Sequence, residues 1–207
     1  GTPTNHADDQ VTYRTTWYDQ NGLKIKPAEI HSLAQDLDGD LWVGTNEGLF
    51  LIPSTVDFAT SDRCERVIIP RNDGTQLADY LLDKEKITSI VVDGANRKWI
   101  GTANAGVFLL SEDGLETIEH FTAENSPLLN NTILSIAILE TTGEVFIGTG
   151  EGLMSYMSDA LPAEDDFTNI YAYPNPVLPN YKGEVVIKGL MADTQVRILD
   201  ANGNLVK

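Results

Sequence analysis

The chain has 207 residues, with 14 lysines and arginines against 31 aspartates and glutamates, for a formal charge of −17. That balance argues against nucleic acid as a partner, which needs a basic surface, and disfavours docking on an anionic membrane face. A hydrophobic content of 42% is enough for a core, the lone Cys64 excludes an intrachain disulfide, and no apolar run approaches the roughly 18 residues that span a membrane.

Taken in chain order, residues 11–18 read as a strand, and a repeat begins at Ile30. Its first copy runs Ile30-His31-Ser32-Leu33, then the acidic turn Asp36-Leu37-Asp38-Gly39-Asp40, then Leu41-Trp42-Val43-Gly44-Thr45 and Gly48-Leu49-Phe50. The second runs Ile87-Thr88-Ser89-Ile90, Lys98-Trp99-Ile100-Gly101-Thr102 and Gly106-Val107-Phe108. The third runs Ile133-Leu134-Ser135-Ile136, Val145-Phe146-Ile147-Gly148-Thr149 and Gly152-Leu153-Met154. Trp42, Trp99 and Phe146 mark the repeat, as do Gly44, Gly101 and Gly148. A period near 40–50 residues with several strands per unit is the pattern of a propeller blade.

Within each unit, Ile-x-Ser-Ile is expected as a short buried strand and the Trp-x-Gly-Thr run as an alternating second strand, with the Gly-Leu-Phe-like run as a third. The glycine lets neighbouring backbones approach closely. Outer, fourth strands are expected at 65–69 and 116–121. Residues 11–18 then read as a fourth strand with no first three before it, so the chain is expected to begin inside a larger propeller. The segment 71–84 is longer than its counterpart and suits either a helical turn or a loop over the blade edge.

Beyond residue 156 the pattern changes. Residues 159–168 read as a polar linker between blades over 1–158 and the first part of a β-sandwich over 169–207. Strand-like runs lie at 184–188, 195–199 and 204–206, and Asp200-Ala201-Asn202-Gly203 is a hairpin turn signal. The expected fold is all-β: a partial β-propeller of about three four-stranded blades, followed by the start of a sandwich.

Chemistry-bearing constellations are sparse. Asp36, Asp38 and Asp40, with Glu47 eleven residues after Asp36, imitate the spacing of a calcium loop, but Leu41 stands where that loop needs its sharp turn. The turn reading is preferred, with these three aspartates kept as a weak cation candidate. Ser32, Ser89 and Ser135 recur at one repeat position, which points to packing or hydrogen bonding rather than a nucleophile. Trp42 and Trp99 are read as packing residues rather than sugar platforms, and Cys64 as structural. The recurring set Trp42, Gly44, Thr45, Gly48, Trp99, Gly101, Thr102, Gly106, Phe146, Gly148, Thr149 and Gly152 is read as structural. No catalytic residue and no cofactor is expected.

The pattern over 30–49 resembles the two-component regulator propeller repeat. Residues 80–83, 92–102, 120–128 and 143–146, with Tyr173-Pro174-Asn175-Pro176-Val177 and Ile187-Lys188-Gly189-Leu190, resemble PorZ-like proteins more specifically. That resemblance implies a non-enzymatic binding or scaffold segment of an exported protein, periplasmic or on the outer surface of Gram-negative bacteria with type IX secretion. Its partners would be proteins of a surface complex, or a glycan such as the lipopolysaccharide to which cargo is attached. The alternative it implies is the glycan-sensing propeller of a hybrid two-component receptor. Because three blades do not close a ring, the expectation is either self-association through open blade faces or their protection by the sandwich segment folding back.

Overall fold

The alternating apolar runs of the three repeats become three antiparallel sheets. The computed structural model describes residues 11–71, 77–163, 167–183, 185–191 and 194–206, and these divide into two units, one ending at Leu161 and one beginning at Pro162. Blade 1 is β3 (Ile30–Gln35), β4 (Leu41–Thr45) and β5 (Gly48–Ile52), preceded by the small pair β1 (Trp17–Tyr18) and β2 (Lys24–Ile25). The hairpin β6 (Ile68–Pro70) and β7 (Ala78–Tyr80) follows. Blade 2 is β8 (Ile87–Val92), β9 (Lys98–Thr102), β10 (Val107–Leu110) and β11 (Thr117–Phe121). Blade 3 is β12 (Ile133–Leu139), β13 (Glu144–Thr149) and β14 (Gly152–Met157). The described residues contain strands and turns and no helix.

Each first strand carries the same irregularity. The pairing register shifts between Ile30 and Ser32, between Ile87 and Ser89, and between Ile133 and Ser135. In a regular strand, residues three apart point to opposite faces. One extra residue in the strand reverses that parity. Ile87 and Ile90 therefore both reach back into the core shared with blade 1, while Ser89 faces blade 3. Ile133 and Ile136 do the same against blade 2.

Two apolar cores follow from this stacking. Trp42, Leu49 and Leu81 bury against Ile87, Ile90, Ile100 and Leu110 between blades 1 and 2. Trp99, Val107 and Leu109 bury against Ile133, Ile136, Val145 and Ile147 between blades 2 and 3. A third, smaller cluster of Trp17, Val43, Phe50, Ile52 and Cys64 covers part of the other face of blade 1.

Several outer elements differ from expectation. Among the described residues, only blade 2 has four strands. In blade 1 the segment at 65–69 splits: Glu65 exchanges both backbone hydrogen bonds with Leu51, at 2.8 and 2.9 Å, but from Ile68 onward the chain pairs with β7 instead. The β6–β7 hairpin competes for the same backbone groups, and it delivers Leu81 beneath Trp42 in return. The described part of the long segment is thus a hairpin arm and a turn; the part of the helical-turn reading that falls on 72–76 lies outside the described residues. The fourth strand expected at 11–18 is reduced to Trp17–Tyr18, which pairs with Lys24–Ile25 and makes a parallel bridge from Tyr18 to Arg63.

The second unit contains β15 (Tyr171–Tyr173) paired with β16 (Val186–Lys188). The runs at 195–199 and 204–206 meet only through a Leu199–Leu205 bridge and a Val206 N–H bond to Ile198 O at 2.8 Å. The turn between them is set by Asp200, whose carboxylate accepts the backbone N–H groups of Asn202 and Asn204.

Candidate functional site

The repeat residues fill structural roles that can be read atom by atom. Trp42 donates its indole N–H to Asp36 at 2.8 Å, and Trp99 donates to Asp93 at 3.2 Å. Both indoles are buried, as an amphipathic ring requires when its N–H is satisfied inside. Thr45, Thr102 and Thr149 each turn their hydroxyl back onto the carbonyl of Gly48, Gly106 and Gly152, at 2.9, 2.9 and 3.1 Å. The same hydroxyls accept the N–H of Glu47, Ala105 and Glu151, so each threonine locks the turn after its strand.

The aspartates of the acidic turn are occupied. Asp36 lies buried; one oxygen accepts the N–H groups of Asp38 and Asp40, and the other takes Trp42 and the Lys98 ammonium, 3.0 Å away. Burial raises the Asp36 carboxyl, but the bonds from Trp42 and Lys98 outweigh it and hold the group below its ordinary value. Asp40 accepts Ser54 N–H at 2.7 Å, and Asp38 accepts the Asn96 amide at 2.8 Å. Among the described residues, no three histidine, cysteine or carboxylate side chains converge as a metal ligand set. Cys64 is buried among Trp17, Phe50 and Ile52, and that burial, with Asp19 nearby, pushes its thiol up to about 12.

One concave feature of the first unit is a cavity of about 390 Å3 beside the turn that joins β4 to β5. Its walls come from four separate stretches, which is why no motif announces it. Lys24 and Lys26 flank Ile25 on and beside β2, Leu49 and Phe50 give an apolar wall, and Lys84 arrives on the turn after β7. That turn places Leu82 and Lys84 in the left-handed region, at φ 50° and 63°. It crosses directly over Gly48, where a Cβ would meet Leu82 O at 3.0 Å.

Arg66 and Asp83 at the rim neutralise one another, and the guanidinium lies 3.7 Å over the Tyr80 ring. Lys24, Lys26 and Lys84 have no carboxylate partner among the described residues, and Glu47 is the other acidic group on the wall. The cavity thus carries a local excess of positive charge in a chain whose net charge is −17. In blade 2 the corresponding turn is closed: the His120 ring bonds Ala105 O at 2.6 Å and Gly106 N–H bonds Asn131 O at 3.0 Å. A second hollow, about 410 Å3, lies in the other unit among Pro174, Pro176 and Leu178 and is mostly apolar.

No protein-family model matches the chain, and no curated protein matches it. Among solved structures, PorZ of Porphyromonas gingivalis, described as an essential bacterial surface component of the type IX secretion system, aligns over 100% of this chain at 34% identity with a TM-score of 0.72. The chain spans 28% of the length of that protein. Extracellular domains of two hybrid two-component systems from B. thetaiotaomicron align over 76% and 66% of this chain, and the chain covers 22% and 19% of theirs. Identities are 22% and 18%, both with TM-scores of 0.46.

Proposed function

We propose, from the PorZ-like fold that this chain has over its whole length, that it is a non-enzymatic binding and scaffold segment of an exported surface protein. PorZ is a surface component of type IX secretion, and the likeness to it extends from the blades into the second unit. By this reading the segment serves a surface assembly, and its ligand is an anionic glycan such as lipopolysaccharide.

One observation carries the ligand part of the reading. A chain with 31 acidic and 14 basic residues sets three lysines with no carboxylate partner among the described residues around a single cavity with an apolar wall. Lysine ammoniums bind phosphate and carboxylate groups as point charges, and a cavity of a few hundred cubic ångströms suits one sugar-sized body. The scaffold part rests on the interlocked repeat residues of the first two blades, where Trp42, Thr45, Trp99 and Thr102 are buried between or within the sheets.

The test is binding of the purified chain to immobilised lipopolysaccharide and to an uncharged oligosaccharide. Lipopolysaccharide should bind in a salt-sensitive way, and the combined K24A, K26A and K84A variant should lose about tenfold or more in affinity. Equal binding of the uncharged sugar, untouched by the variant, would favour a neutral-glycan sensor. Binding of neither would remove the ligand assignment.

A further inference from the structure

Three residues other than glycine take a left-handed backbone among the described residues: Asn96, at φ 59°, and Leu82 and Lys84, at φ 50° and 63°. That region crowds a Cβ, so glycine adopts it freely, asparagine and aspartate occasionally, and other residues rarely. Two of the three have a reason inside the fold. The Asn96 side chain accepts Leu37 N–H at 2.9 Å and donates to Asp38 at 2.8 Å. Leu82 packs against the core between blades 1 and 2. Lys84 has neither kind of contact: it is exposed, it has no carboxylate partner among the described residues, and it lines the cavity beside Gly48.

The turn that carries Lys84 is firmly braced. Its Leu82 carbonyl accepts Glu85 N–H at 3.1 Å, and a Cβ on Gly48 would stand 3.0 Å from that carbonyl oxygen and 3.4 Å from Lys84 N. Asp83, between the two left-handed residues, pairs with Arg66, whose guanidinium lies 3.7 Å over the Tyr80 ring. The Tyr80 hydroxyl donates to Asp19 at 3.2 Å, and the same carboxylate accepts Leu23 N–H at 2.8 Å, one residue before Lys24. One frame therefore holds the stretch that bears Lys24 and Lys26 and the turn that bears Lys84.

A residue in an unfavourable backbone persists only where its surroundings over-determine it, and such outliers gather at binding sites. Glycine would suit the backbone at position 84 better than lysine does; what lysine adds is an ammonium at the cavity. We propose that Lys84 is the specificity-determining residue of this cavity, held in a left-handed turn at the expense of stability so that its charge is placed for an anionic sugar group before the ligand arrives. The proposal rests on the anionic-glycan reading of the same cavity. Because the turn is already ordered, binding does not have to fix it.

Thermal unfolding and binding to immobilised lipopolysaccharide, measured on the same variants of the 207-residue chain, test this. Lys84→Gly should raise the thermal midpoint by about 2–4 °C, because it relieves the backbone. The same variant should weaken binding about fivefold or more, through loss of one charge contact. Lys84→Arg keeps both the charge and the strained backbone, and should restore binding with the midpoint of the wild type. The combined Lys24→Ala and Lys26→Ala variant should weaken binding without raising the midpoint. A Lys84→Gly chain that binds like the wild type, when the Lys24 and Lys26 variant does not, overturns the proposal and leaves the anionic-glycan reading standing. A midpoint that fails to rise in Lys84→Gly, or loss of binding in Lys84→Arg, overturns it as well. A wild type that does not bind lipopolysaccharide removes the reading and the proposal with it.

Discussion

Lys98 on β9 places its ammonium 3.0 Å from the carboxylate of Asp36 in the preceding blade, with both side chains buried. The ammonium also bonds the Glu112 carbonyl and lies 5.0 Å from the centre of the Trp42 ring. An ion pair taken out of water is costly to break from one side, because the other charge is then stranded.

Lys98→Met and Asp36→Asn should therefore each cost about 3–5 kcal/mol, measured by urea unfolding. The double variant should cost less than the sum, because neither charge is then left alone. The pH dependence follows from the depressed Asp36 carboxyl. Its contribution is complete above the unfolded value near 4 and is lost as the pH falls through the lower folded value. Acid unfolding midpoints of wild type and Asp36→Asn should converge at low pH.

Gly44→Ala and Gly101→Ala should each destabilise by about 1–3 kcal/mol, since the new methyl overlaps a branched isoleucine of the next blade. Gly148→Ala should cost clearly less. Its new methyl meets only the end of its own neighbour's Ser135 hydroxyl, which can rotate away. Thermal midpoints that rank the three variants equally would show that the glycines do not serve the close approach of the next blade.

Arg97 clamps the end of blade 3. Its guanidinium bonds Asp93 at 2.8 Å, Ser158 at 2.9 Å and Asp159 at 2.8 Å. The Asp93 end is buried and the Asp159 carboxylate is exposed. Arg97→Gln should raise hydrogen exchange in 157–161 about tenfold or more. Asp159→Asn should change global stability by under about 1 kcal/mol, as exposed pairs do.

Cys64 should be inert to thiol reagents at pH 8 in the folded chain, because the thiolate that reacts is suppressed by burial. Its raised thiol favours the folded state below the ordinary value of 9.0, and that contribution disappears as the pH rises toward about 12. Labelling at the rate of global unfolding is the expected result; fast labelling in native buffer would contradict the burial.

The repeat was legible in the sequence because it is written locally. Alternating apolar residues set each strand, turn residues end it, and the recurrence of Trp42 and Trp99 with Gly44, Gly101 and Gly148 fixes the blade. The outer strands were not legible in the same way. A run such as 65–69 has the right composition for a strand, but its backbone groups chose between Leu51 and β7, and composition does not decide between two partners of similar worth.

What the sequence by itself determined was therefore the class of the fold, the number of blades and the residues that mark them. Only the tertiary structure decided what those residues do. The extra residue in each first strand is invisible in a hydrophobic pattern, yet it turns Ile87 and Ile90 to the same side and aims Ser89 at the next blade. The lysine cavity likewise exists only because Lys84 is brought to the same place as Lys24 and Lys26, which lie far from it in the chain. Side-chain periodicity is a property of neighbours along the chain, whereas register and convergence are set by which blade packs on which, through contacts between residues 47 and 58 positions apart.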